Sequence, residues 1–196
     1  MHPKTRPTGK KDVMNAILIA ATDLFAERGV AGVAVRDIAA RADVNHGLVH
    51  RHFGSKENLR LQVQNHLMQK INADIGEPDD YAEAFLRGVA ALRRNEAFWK
   101  VLARTFLDGQ FEGDVQSAFP YLRKMIALIA AAQADGRFDK SLDPRLLVAG
   151  GTAMVLGLFV FANYLLPGTG LDDRPAEETQ DAILQAFMDI LIQEAK

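Results

Sequence analysis

Along most of this chain the apolar residues recur three and four positions apart, and no run of alternating β-branched residues is bounded by tight turns. That period predicts an all-α protein. Punctuation sets the helix limits. Asp12 opens a run carrying Val13, Ile17, Ala20, Ala21, Leu24 and Phe25, and Gly29 closes it. Short helices are expected over 35–42 and 46–52, the second with Asn45 as N-cap. Ser55 caps a long helix striped by Leu59, Val63, Leu67, Ile71 and Ile75, which stops at Gly76. Further helices are expected over 80–93, 96–108, 114–135, 144–166 and 175–195. Asp143-Pro144 is a start signal and Pro167-Gly168 a stop. Pro120 predicts a kink or a late start within 114–135.

Charge divides the chain. Residues 1–60 carry ten Lys/Arg against six Asp/Glu, while the remainder carries thirteen against nineteen. A basic front on an acidic body suggests two tasks, one of them on an anionic partner. There is no cysteine, which removes disulfides, thiol chemistry and thiolate metal sites. No G-x-S-x-G elbow or G-x-x-x-x-G-K-[ST] loop occurs, and the pairs Asp79-Asp80 and Asp172-Asp173 sit at helix starts, where the dipole explains them. The reading is therefore not an enzyme, with no cofactor. His46 and His50 lie one turn apart, but no third or fourth ligand accompanies them, so no metal is expected. The front of the chain has no signal-peptide pattern, and a cytoplasmic protein is expected. Residues 146–166 hold no charge and are long enough to span a bilayer. Three glycines, Thr152, Asn163 and the lack of a polybasic flank favour instead a helix buried on all sides.

The two short helices are separated only by Asp43-Val44-Asn45, which fits a helix-turn-helix whose second helix enters a major groove. In that arrangement Asn45, His46 and Gly47 meet base edges, Leu48 meets a thymine methyl, and His50 and Arg51 lie further along. Lys56, with the first backbone N–H groups of the following helix, is expected at a phosphate. Lys4, Arg6, Lys10 and Lys11 form a basic tail able to reach the backbone or minor groove.

The order of residues adds a family. A-x-x-L-F-A-E-R-G, V-R-D-I-A-x-R-A-x-V and G-x-V-x-x-H-F-x-S-K-E-x-L, spread over residues 12–60, resemble the DNA-binding domain of the TetR family of one-component repressors. Beyond Leu59 the likeness is architectural. It implies a DNA contact at Arg36, a dimer, and a small inducer that alters the spacing of two DNA heads. Four positions depart from the pattern. Val33 and Ala34 stand where a capping Thr or Ser is usual, a loss of about 1 kcal/mol. His50 replaces a phosphate-binding tyrosine, and Asp43 replaces the glycine of the turn.

The expected organisation is a tail over 1–11, a helix-turn-helix domain over 12–54, and a ligand-binding and dimerisation domain over 55–196. The expected ligand residues are Phe98, Trp99, Leu102, Phe106, Tyr121, Met125, Met154, Leu158, Phe161 and Asn163, an apolar set with few neutral handles. The final two helices are expected to form a four-helix bundle across a two-fold axis, through Gly150, Gly151, Ile183, Phe187, Ile190 and Leu191. The function expected is a homodimeric DNA-binding regulator, a repressor released from a near-palindromic operator by a small hydrophobic inducer, with no membrane partner. Two other readings stay open: a helical protein whose 146–166 segment meets a membrane, and a DNA-binding regulator without a small ligand.

Overall fold

The computed structural model describes residues 7–109 and 120–193, with the side chains of 190–193 excepted. Among these residues there are nine helices and no strand: α1 Lys10–Arg28, α2 Val35–Arg41, α3 His46–Phe53, α4 Lys56–Ile75, α5 Tyr81–Arg94, α6 Glu96–Leu107, α7 Pro120–Ala134, α8 Pro144–Gly168 and α9 Ala176–Gln193. The all-α expectation holds. Lys10 and Lys11 belong to the first turn of α1 and not to a tail, while Lys4 and Arg6 lie outside the described residues. Pro120 is the first described residue of α7, and residues 114–119 of the expected helix lie outside the described residues. Pro167 is accommodated in the last turn of α8, so that helix stops two residues later than its punctuation suggested.

By contact the chain divides into two units. Residues 7–73 and 95–109 make one, and 74–94 with 120–193 make the other. The first unit therefore extends well beyond residue 54. Two packing faces account for this. The α4 stripe is buried from Leu59 to Ile71, and α6 packs along α1. The core of the three amino-terminal helices is Ile17, Leu24, Phe25, Ile38, Val49 and Phe53, each at most 2% exposed.

The turn between α2 and α3 shows how this sequence replaces a glycine. Val44 N–H donates to the Ala39 carbonyl at 3.0 Å and Asp43 N–H to the Ala40 carbonyl at 3.3 Å, the paired bonds of a Schellman cap. The motif needs a left-handed residue at its hinge, and Asp43 supplies it with φ 54°. Aspartate tolerates that region better than most side chains, because its short polar group bonds locally. The missing cap of α2 is half restored. Asp37 Oδ2 accepts from the Ala34 N–H at 3.1 Å, the return half of a capping box.

The second unit has two apolar clusters. Ala84, Met125, Ile129, Ala132, Phe138 and Val148 form one, and Val89, Val155, Leu158 and Leu184 form the other. Arg93 closes the second unit's α5–α9 contact, donating to Asp181 at 2.8 Å and to Glu177 at 3.2 Å. The expectation that α8 is buried on all sides is overturned. Only 17% of its most apolar 18-residue window is buried within one chain, and Leu146, Phe161 and Tyr164 are 73%, 58% and 78% exposed.

The hinge gives the first testable outcome. Asp43→Gly removes the left-handed cost but loosens the unfolded chain, so its effect on stability is within about 1 kcal/mol. Asp43→Val places a β-branched residue there and costs about 1–3 kcal/mol. Urea denaturation of both variants checks the pair. Equal stabilities would show that the hinge does not require this backbone.

Candidate nucleic-acid interface and ligand cavity

Helix α3 is held by its two ends. Asn45 Oδ1 accepts from the Gly47 N–H at 2.9 Å, and a Cβ on Gly47 would lie only 3.3 Å from that same oxygen. Gly47 thus serves the cap as well as any close approach by a ligand. Val49 and Phe53 are buried, so the helix turns Asn45, His46, Gly47, His50 and Arg51 outward, with Leu48 half-buried. Arg36 projects from α2 with its side chain 87% exposed, 3.7 Å from the Asp37 carboxylate. These residues form one solvent-facing set of donors and one methyl-bearing side chain on two adjacent short helices. His50 is partly engaged: its Nδ1 lies 3.1 Å from the Gly54 carbonyl. The tautomer that donates there leaves Nε2 for another partner.

Lys56 stands apart from this set. Its ammonium donates to the Val30 carbonyl at 2.8 Å and the Val33 carbonyl at 3.0 Å. Lys56, expected at a phosphate, thus also clamps the α1–α2 turn and keeps one of its three N–H donors for another partner. Two more basic side chains meet the same region. Arg104 from α6 donates to the carbonyls of Ala26 and Glu27 at 3.0 and 3.1 Å. Arg41 from α2 makes a fork on the Glu27 carboxylate, with both bonds 3.2 Å. That hydrogen bonding holds the Glu27 carboxyl below the usual carboxylate range and the Arg41 guanidinium above its own.

Arg60 is a further residue that sequence reasoning missed. It is fully buried, donating to the Glu57 carboxylate and, at 2.7 Å, to Gln64 Oε1. Its spacing to Glu57 and Gln64, three and four residues, was the available signal.

The second unit holds a cavity of about 80 Å³ that is partly open to solvent. Helices α5, α7, α8 and α9 and the α7–α8 loop line it, chiefly with Phe85, Met125, Ile129, Phe138, Val148 and Val155. Tyr121 belongs to the wall as well. Its hydroxyl donates to the Ala84 carbonyl at 2.9 Å, and its ring lies over Gly88, where a Cβ would run into both hydroxyl and ring. Burial pushes the Tyr121 phenol well above its ordinary range.

Of the ten residues expected to bind a ligand, Tyr121 and Met125 line this cavity. Phe98, Trp99, Leu102 and Phe106 lie on α6 in the other unit. Met154 and Leu158 pack into the Val89–Leu184 cluster, and Phe161 and Asn163 are exposed. A helical period places residues on faces but does not say which faces close on one another, so Phe85, Phe138 and Val148 were out of its reach. The expected dimer set also divides. Gly151 and Phe187 line the cavity, Gly150 is exposed, Ile183 packs against Leu184, and the side chains of Ile190 and Leu191 lie outside the described residues.

Comparison with known proteins agrees with the helix-turn-helix geometry. The family described as "Bacterial regulatory proteins, tetR family" matches residues 17–63. The chain is 40% identical over 187 residues to the HTH-type transcriptional repressor Rv3405c of Mycobacterium tuberculosis, covering 94% of this chain and 92% of that one. This chain belongs to the TetR family.

It is also 35% identical over 89 residues to the HTH-type transcriptional repressor DhaR of a Mycobacterium species, 45% of this chain and 42% of that protein. The crystal structure of a transcriptional regulator from Streptomyces coelicolor shares the fold, with a TM-score of 0.71, 18% identity, and 91% and 97% of the two chains covered. TetR-family proteins are DNA-binding transcriptional regulators and not enzymes, and they act on operator DNA as dimers. Within this TetR-family chain the fork and clamps around residues 26–33 are structural. Lys56→Met therefore lowers stability by about 1–2 kcal/mol, the scale of charge-assisted bonds at a half-buried site. Chemical denaturation reads that loss, and unchanged stability would return Lys56 to a purely DNA-facing role.

Proposed function

We propose that this protein is a cytoplasmic repressor released from its operator by a small, largely apolar molecule bound in the cavity of the second unit. The observation that carries the reading is the coexistence, in one chain, of an outward-facing recognition helix and an apolar cavity in a separate unit. Arg36, His50 and Arg51 supply phosphate or base contacts, and Asn45, His46, Gly47 and Leu48 approach base edges at the start of α3. A near-palindromic duplex with half-sites about 34–36 Å apart, or a multiple of that, suits two such helices related by a two-fold axis.

The two-fold partner is assigned to the exposed face of α8. Leu146, Gly150, Ala153, Gly157, Phe161 and Tyr164 follow one another at helical spacing, and among the described residues no side chain lies within 4 Å of where a Cβ on Gly150 or Gly157 would be. An apolar stripe of that length left to water is the kind of surface a second copy covers. Tyr164→Asp tests it, because a residue so exposed in one chain can carry a charge there without disturbing the fold, whereas a paired interface cannot. Light scattering is expected to give a monomer with unchanged helical circular dichroism. A persistent dimer would move the interface, and recovery in a membrane fraction would assign the stripe to lipid.

The release step is tested on a duplex selected from a randomised pool. Gly151 lines the cavity with open space where a Cβ would stand, so Gly151→Leu fills the cavity while leaving the recognition helix alone. An organic extract of host cells that displaces the unaltered protein from the duplex is expected to leave the filled variant bound. Equal displacement of both would rule out this cavity as the inducer site.

A further inference from the structure

The chemistry of the cavity wall is narrower than apolarity alone. None of its lining residues is acidic, basic or a histidine, and only Tyr81, Tyr121 and Thr152 bring a side-chain oxygen. These three are not equivalent. The Tyr121 hydroxyl spends its proton on the Ala84 carbonyl. Tyr81 opens α5, and its ring stands edge-on to Phe138, with centroids 5.1 Å apart. Thr152 sits in mid-α8 between Gly151 and Val155, with Val148 one turn earlier, all of them lining the cavity. Among the described residues no hydrogen bond involves its hydroxyl, although Thr105, Thr169 and Thr179 all bond back to their own helices. A threonine hydroxyl inside an apolar wall, with both its donor and its acceptor capacity unspent, is a handle for a polar group brought in by a ligand.

No cation on the same helices lines the cavity, and most are held by other groups. Arg87 holds Glu83 and the Ile75 carbonyl, Arg93 holds Glu177 and Asp181, and Arg145 holds Asp143. Lys124 lies 3.5 Å from Glu77, and Arg123 is exposed and lines no part of the cavity. An anion entering this space would lose its water and find no cation in return.

We propose that the cavity takes an uncharged, mainly hydrocarbon molecule bearing one hydroxyl group, that Thr152 is the residue that recognises the hydroxyl, and that carboxylates and phosphates are excluded. The proposal rests on the reading of the cavity as the inducer site and narrows it to a chemical class. A hydroxyl can accept the Thr152 proton and offer its own to the remaining lone pairs of Tyr121. A bare hydrocarbon leaves the threonine unpaired, and a carboxylate brings a charge without a partner.

The test uses three fluorescent probes of one shape on the full chain: naphthalene, 2-naphthol, which is neutral near pH 7, and 2-naphthoate, an anion. Equilibrium dialysis is expected to rank 2-naphthol first and 2-naphthoate at least roughly tenfold weaker. Thr152→Val, which keeps the shape and removes the hydroxyl, is expected to weaken 2-naphthol about fivefold while leaving naphthalene unchanged. Tyr81→Phe is expected to change neither. Binding of 2-naphthoate as tight as that of 2-naphthol overturns the class. An equal loss for naphthalene in Thr152→Val, or a loss in Tyr81→Phe in its place, overturns the assignment of the handle. Failure of all three probes overturns the cavity as a site for such molecules. Displacement of the selected duplex is read separately. The expected ranking without displacement sinks the release reading and leaves the ligand class intact, whereas displacement by 2-naphthoate alone does the reverse.

Discussion

The turn that follows α1 is the point on which the first unit depends. A helix end leaves carbonyls without partners, and here basic side chains from two later helices supply them. Arg104 takes Ala26 and Glu27, and Lys56 takes Val30 and Val33. Cations at a helix C-terminus also complement its dipole. Arg41 then ties the Glu27 side chain to α2. Gly32 shows how tight the turn is, since a Cβ there would lie 2.7 Å from the Arg28 carbonyl. Elements far apart in sequence therefore meet on eight residues, and the recognition helix is oriented by a base that is electrostatically and sterically fixed.

This arrangement changes the meaning of the charge asymmetry. Ten basic residues in the first sixty suggested a surface built for an anion. Lys56 serves backbone oxygens, Arg41 serves Glu27, and Arg60 is buried with Glu57 and Gln64. The cations left to face solvent among the described residues are fewer, and Arg36 and Arg51 are the two on the short helices. Charge counting reports the total field of a domain, but the number of phosphates it can neutralise depends on which side chains are still unspent.

The same distinction explains how much could be read from the sequence. Caps and stripes were legible, because they depend on neighbours within a turn. Asn45 caps α3, Ser55 Oγ accepts from Asn58 N–H at 3.0 Å, and the stripe from Leu59 to Ile75 is buried. The exposed ends of α2 and α3 follow from the same local logic. Pairings across long separations were not legible. Nothing in the order of residues announces that Arg104 reaches Glu27, or that Phe85 and Phe138 close on Val148. Helix α8 makes the point most directly. An uncharged 21-residue run reads alike for a core helix, a membrane span and a subunit interface, and only its exposure within one chain separates the first of these from the other two.

Chain connectivity adds a last step. Helix α5 contributes Phe85, Gly88, Val89 and Leu92 to the cavity wall, and a single residue, Asn95, joins it to α6. Helix α6 carries Arg104, which holds the end of α1. The chain thus passes in one residue from the cavity wall to the helix that grips the end of α1. Ligand binding shifts such a system only insofar as it favours one arrangement of the wall over another. Tyr121 provides a contact that can distinguish arrangements. Its ring rests where Gly88 leaves room, and its hydroxyl is bonded to Ala84 one turn away. Displacing that ring from α5 would break a buried hydrogen bond and free the helix face at once.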